Sequence, residues 1–109
     1  MAEVLLVLST FPNAETAAGS ARTLVEENLV ACANVLPGVR SIYRWQGKIE
    51  EAGETIVFFK TTLAIFPACE ARLRELHPYD VPEIIALPLA DGNAPYLAWL
   101  AQGTGARAP

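Results

Sequence analysis

Val39-Arg40-Ser41-Ile42-Tyr43-Arg44-Trp45-Gln46-Gly47-Lys48-Ile49-Glu50-Glu51 is the stretch on which the fold turns. In an extended chain Val39, Ser41, Tyr43 and Trp45 fall on one face, and Arg40, Ile42 and Arg44 on the other. Gln46-Gly47 suits a tight turn, and Lys48 to Glu51 begins a return strand, so the segment reads as a long hairpin. Ala52-Gly53 is expected to interrupt that return strand. From Glu54 to Thr61 the strand pattern is strong again, with Ile56, Val57, Phe58 and Phe59 apolar on both faces. Before the hairpin, Pro37-Gly38 signals a turn or bulge after Ala31-Cys32-Ala33-Asn34-Val35-Leu36.

Working outward, residues 3–10 form a continuous apolar run ending at Ser9-Thr10, as expected of a covered first strand. Asn13 is a candidate helix N-cap, and Ala17, Ala18, Ala21, Leu24, Val25 and Leu29 recur at helical spacing. This predicts an amphipathic helix ending near Asn28 to Val30. Beyond the hairpin, Phe66, Cys69, Leu73 and Leu76 make a second helical stripe, with Pro67 in the first turn, where its missing N–H does no harm. A fourth strand is predicted at about Pro82 to Leu89. A turn at Asp91-Gly92-Asn93 then leads to a short helix from Ala94 to Gln102, and residues 103–109 read as a frayed tail.

The resulting order, βαββαβ plus a terminal helix, predicts one α+β domain over residues 1–109, a ferredoxin-like sandwich with its helices on one sheet face. A chain this short has little left to cover the other face, although the third strand is apolar on both sides. Other subunits are the economical cover, and the long hairpin arm is suited to reach them.

The hydrophobic fraction of 52% is ample for a core, and it excludes disorder as a description of the whole chain. A net charge of −4, with the eight Lys and Arg scattered, argues against a nucleic-acid partner, which needs a basic face. Val4-Leu5-Leu6-Val7-Leu8 is too short to span a membrane and follows an acidic Glu3, so neither membrane nor export is expected and the cytoplasm is the expected compartment. Two cysteines, Cys32 and Cys69, do not make a disulfide framework.

Candidate chemistry concentrates in His77-Pro78-Tyr79-Asp80-Val81-Pro82-Glu83, which holds the only histidine of the chain. The prolines stiffen the segment and bias His77 and Val81 toward extended backbone. His77, Tyr79, Asp80 and Glu83 could bind a divalent cation, with Cys32 as a soft donor if the fold brings it close. Equally, His77 could simply end a helix while Glu83 pairs with a cation. Lys60, among apolar neighbours, could meet an anionic ligand or pair with an acid such as Glu83. Tyr43, Trp45, Tyr96 and Trp99 suit packing or a subunit interface better than a pocket wall. No GxSxG elbow, GxGxxG or phosphate-cradling loop is present, and no complete catalytic constellation is visible.

Three blocks resemble the CutA family, the divalent-cation tolerance proteins. They are Leu29-Val30-Ala31-Cys32-Ala33-Asn34 with Pro37-Gly38; Ser41-Ile42-Tyr43-Arg44-Trp45-Gln46-Gly47-Lys48-Ile49; and His77-Pro78-Tyr79-Asp80-Val81-Pro82-Glu83-Ile84-Ile85-Ala86. Phe59-Lys60-Thr61 and Tyr96-Leu97-Ala98-Trp99-Leu100 fit as well, so the resemblance covers nearly the whole chain. It implies a ferredoxin-like subunit in a PII-like homotrimer, a non-catalytic role in copper or other divalent-metal tolerance, and no obligatory cofactor. The metal ligands it implies are His77 and Glu83, with Cys32 as the family's recurrent buried cysteine. The clefts between subunits would also gather Lys60, Tyr43, Trp45 and, from the same block as His77, Tyr79. A PII-like trimer holding a small anionic metabolite near Lys60 is the alternative. The chain departs from the family at Cys69, read as packing, and at apolar Ala64-Ile65.

Overall fold

A computed structural model describes residues 3–105. The elements run β1 (Val4–Phe11), α1 (Ala14–Glu26), β2 (Cys32–Trp45), β3 (Lys48–Thr62), α2 (Phe66–Leu76), β4 (Ile84–Pro88) and α3 (Ala94–Gln102). The four strands form one antiparallel sheet in the order β2-β3-β1-β4. This is the ferredoxin-like α+β arrangement that the hairpin predicts.

Local chemistry accounts for the ends of the elements. Asn13 caps α1 by accepting the Thr16 amide at 2.9 Å. The helix stops at Glu26, short of the expected Asn28 to Val30. Asn28 takes a left-handed φ of 60°, and the amides of Asn28 and Leu29 turn back to the carbonyls of Val25 and Leu24. Pro37-Gly38 makes a bulge inside a continuous β2, with Gly38 at φ +82°. Proline is tolerated there because β2 is an edge strand. Gln46 and Gly47, both at positive φ, close the hairpin in the geometry that matches strand twist.

The expected break at Ala52-Gly53 is not formed. Ala52 pairs with Ser41 and Gly53 with Arg40, so β3 runs unbroken. Small side chains there remove side-chain contacts but leave the ladder hydrogen bonds in place. β1 pairs only with Thr55 to Thr62, so the stretch from Lys48 to Glu54 is held by β2 alone and projects as a two-stranded arm. β4 is shorter than predicted, although the Leu89 amide still reaches the Val4 carbonyl at 3.0 Å.

One sheet face, carrying Val7, Phe11, Val57 and Phe59, is sealed by Ala17, Ala21 and Leu24 of α1 and Cys69 and Leu73 of α2. Alternate residues of the same strands make the other face. Leu6 and Leu8 meet Lys60 and Phe58 across β3, and Leu87 and Ile85 across β4. There Leu36, Ile85 and Leu87 are 40%, 49% and 46% exposed. α3 packs against β1 and β3 and buries Leu100.

The tail expectation is corrected for residues 103–105. Thr104 is buried, its hydroxyl donates to the Leu100 carbonyl at 2.8 Å, and the Gly105 amide reaches the Asn28 carbonyl at 2.6 Å. Residues 106–109 lie outside the described residues. Among the described residues no helix is long and apolar enough to cross a membrane.

Candidate functional site

The segment following α2 is built around His77. Its amide caps the helix by donating to the Leu73 carbonyl at 2.9 Å, and its backbone then turns extended (φ −74°, ψ 137°), as a residue before proline should. The imidazole lies in the fold, 8% exposed, stacked on Phe11 with centroids 4.3 Å apart. Nε2 is 2.9 Å from the Thr10 carbonyl oxygen, and Nδ1 accepts the Tyr79 amide at 3.2 Å. Burial lowers the affinity of the ring for a second proton, against smaller opposing effects of the Thr10 carbonyl and the Glu54 charge.

Tyr79 continues the same knot. Its ring lies 5.1 Å from that of His77, and its hydroxyl donates to Glu54 Oε2 at 2.6 Å. Burial, the Glu54 hydrogen bond and nearby negative charge all push the phenol well above its ordinary range, so it stays a donor. Glu83 is exposed, and one of its oxygens accepts the Thr10 hydroxyl at 3.4 Å. His77 and Glu83 therefore meet at one residue of β1, the first through the Thr10 carbonyl and the second through its hydroxyl.

Cys32 and Lys60 lie elsewhere. They face each other across β2 and β3, on the rung that continues through Leu6 to Leu87. Glu83, just ahead of β4, is four residues from Leu87 on that rung, about 13 Å at strand spacing. Lys60 donates to Asn34 Oδ1, so the expected Lys60–Glu83 pair is not formed. The Cys32 thiol lies 3.6 Å from the Tyr96 hydroxyl of α3, where Tyr96 stacks with Trp99. Among the described residues no group of three or more His, Cys, Asp or Glu side chains is placed to hold a metal ion. His77, Glu83 and Cys32 thus do not form one ligand set within a single chain.

The aromatic candidates separate in the same way. Trp45 pairs with Lys48 at the tip of the arm, twelve positions along β3 from Lys60, or about 40 Å. Tyr43 is also on the arm, opposite Glu50, but near enough to Tyr79 to help raise that phenol. One chain therefore cannot gather Lys60, Trp45 and Tyr79 around a single small ligand. Sequence reasoning missed Thr10 and Glu54, the two residues that tether the segment. Glu54 carries a signal in retrospect, a carboxylate just ahead of the apolar run from Ile56 to Phe59. Thr10 carries none, because its part depends on register.

A four-stranded antiparallel sheet with two helices on one face and a long β2–β3 arm defines the class as ferredoxin-like. Comparison with known proteins is more specific. The family described as CutA1 divalent ion tolerance protein matches residues 5–103, and the chain belongs to it. It is 51% identical to the divalent-cation tolerance protein CutA of Thermus thermophilus, over 96% of this chain and all of that one. It is 47% identical to the human protein CutA over 87% of this chain, which spans only 53% of the human protein. Among solved structures, the Thermus thermophilus protein superposes with a TM-score of 0.91, covering 94% of this chain and 99% of that one. CutA1 from Oryza sativa superposes with a TM-score of 0.92 at 38% identity, covering 95% of each chain.

Proposed function

We propose that this protein acts without catalysis in the response to divalent cations, copper(II) first among them, and works as a homotrimer in the cytoplasm. Family membership supports the metal-tolerance part. The single structural observation behind self-association is the sheet face that α1 and α2 leave open, where Leu36, Ile85 and Leu87 stay exposed beside the projecting arm. An apolar surface of that kind favours a partner over water. A second copy of the chain is the economical partner, and three copies is the number the resemblance to CutA implies. Two free thiols, Cys32 and Cys69, suit a reducing compartment.

The cation would be held at Glu83, with further ligands supplied where copies meet, because one chain offers too few donors. A role without catalysis is supported by the single imidazole, which is already engaged at both nitrogens. A second reading, an anionic metabolite held between copies, draws support from Lys60. Its ammonium sits on the apolar face with the neutral amide of Asn34 as partner. Tyr43, Trp45 and Tyr79 of neighbouring copies would then line that cleft.

Light scattering and calorimetric titration of the reduced protein with copper(II) test the proposal together. A mass of three chains, with saturable binding lost in Glu83→Gln, supports it. A monomeric mass removes the assembly, and binding unchanged by Glu83→Gln removes the site. Stabilisation by small anions that is lost in Lys60→Ala, without any response to copper, would favour the second reading.

A further inference from the structure

We infer that His77 is a positioning residue, held as the uncharged Nε2–H tautomer, that orients the turn leading to Glu83 and does not itself ligate. A backbone carbonyl only accepts, so the nitrogen 2.9 Å from the Thr10 oxygen must carry the proton. A backbone amide only donates, so the nitrogen receiving the Tyr79 N–H must be bare. Nε2 is therefore the protonated nitrogen, and the single in-plane lone pair, on Nδ1, is already taken.

A metal ion binds imidazole through such a lone pair. At Nδ1 it would have to displace the Tyr79 amide. At Nε2 it would have to remove the proton and leave the Thr10 carbonyl without this donor. Stacking on Phe11 and near-complete burial hold the ring against either rearrangement.

The same bonds explain what the ring does instead. Thr10 is shared, its carbonyl with His77 and its hydroxyl with Glu83. Tyr79 is fixed twice, by its amide on Nδ1 and by its hydroxyl on Glu54. The turn between α2 and β4 is thus pinned to β1 and β3 at once, and Glu83 leaves it in a set direction. The tautomer stands by itself. The effect on a cation rests on the reading of Glu83 given above, and the experiment keeps the two apart.

Long-range proton–nitrogen correlation spectra of the full chain, labelled at histidine, read the tautomer directly. At neutral pH one nitrogen, Nε2, should be protonated, and neither should shift on titration with zinc, a diamagnetic divalent probe. The Tyr79 amide should lose protection from exchange in His77→Ala while the sheet keeps its protection. Zinc binding should weaken about tenfold in His77→Ala. It should recover to within about threefold in His77→Gln, whose amide nitrogen reaches the Nε2 position. An Nδ1–H ring, fast averaging between tautomers, or a zinc-induced shift of either ring nitrogen would overturn the inference. Equal loss of binding in His77→Ala and His77→Gln would do the same. If zinc does not bind, or binds Glu83→Gln unchanged, the Glu83 reading fails, and the tautomer and the Tyr79 amide alone decide the role of His77.

Discussion

The two faces of the sheet are made by alternate residues of the same strands, yet they are in opposite conditions. Val57 and Phe59 are wholly buried under α1 and α2, while their neighbours Phe58 and Ile56 point to the face that these two helices leave open and stay half-buried. Strand composition is as apolar on one side as on the other. The contrast is one of cover: α1 and α2 seal one face, while on the other α3 reaches only the Cys32 end. Arm and turn differ in a parallel way. The turn at His77–Glu83 is tied to two strands by side-chain hydrogen bonds, whereas the arm tip leaves Ile42, Trp45 and Ile49 exposed.

The largest expected effect is on the sealed face. Phe59→Ala should destabilise the chain by about 3–5 kcal/mol, through lost burial and the cavity left behind. Phe58→Ala should cost the isolated chain clearly less. Urea unfolding of the two variants, under conditions where the chains are dissociated, checks this, and equal losses would break the contrast between faces. The open face is probed next by Leu87→Asp. This should leave the circular dichroism of the chain intact while lowering the mass seen by light scattering, whereas an unchanged mass would mean that this face is not an interface.

The cysteines sharpen the same comparison. Cys69 is fully buried on the sealed side, and burial, aided by the Glu70 charge, pushes its thiol up to about 12. It should resist a thiol reagent at pH 8 in the native protein while half-exposed Cys32 reacts. Two labels per native chain would contradict the packing described.

His77 provides a pH test of the pinned turn. Its folded-state proton affinity lies below the ordinary value of 6.5, so the unfolded chain takes up the proton first. The stabilisation is fully present above the unfolded pKa and is lost as the pH falls through the lower folded one. The midpoint of urea unfolding should therefore drop on acidification below about pH 6.5, and the drop should be shallower in His77→Gln. The smallest effect belongs to a site that neither face requires. Asn13→Ala should remove the cap from α1 for about 1 kcal/mol, measurable as a small fall in the unfolding midpoint.

Much of this was legible in residue order alone. Asn13, Pro67, Pro37-Gly38 and Gln46-Gly47 act through dihedral preferences and hydrogen bonds within a few residues, and the structure uses each as its local chemistry suggests. The misjudged places depend on distant partners. Gly53 looked like a break because glycine weakens a strand in isolation, but Arg40 across the hairpin holds it in the ladder. Gly103 to Gly105 looked loose because nothing in their composition reveals the Asn28 carbonyl waiting at the end of α1.

The candidate site divides along the same line. Its location was evident from the only imidazole lying between two prolines beside carboxylates, since those residue types restrict the backbone and concentrate polar atoms wherever they fold. Which atoms face one another was settled by strand register. Placing Thr10 beside Ile56 sets His77 and Glu83 on a single threonine, and pairing Cys32 with Lys60 carries both to the other end of the sheet. Element type follows from local preference, but a hydrogen-bond partner dozens of residues away is chosen only when the sheet closes, because a shift of one residue would turn every side chain to the opposite face.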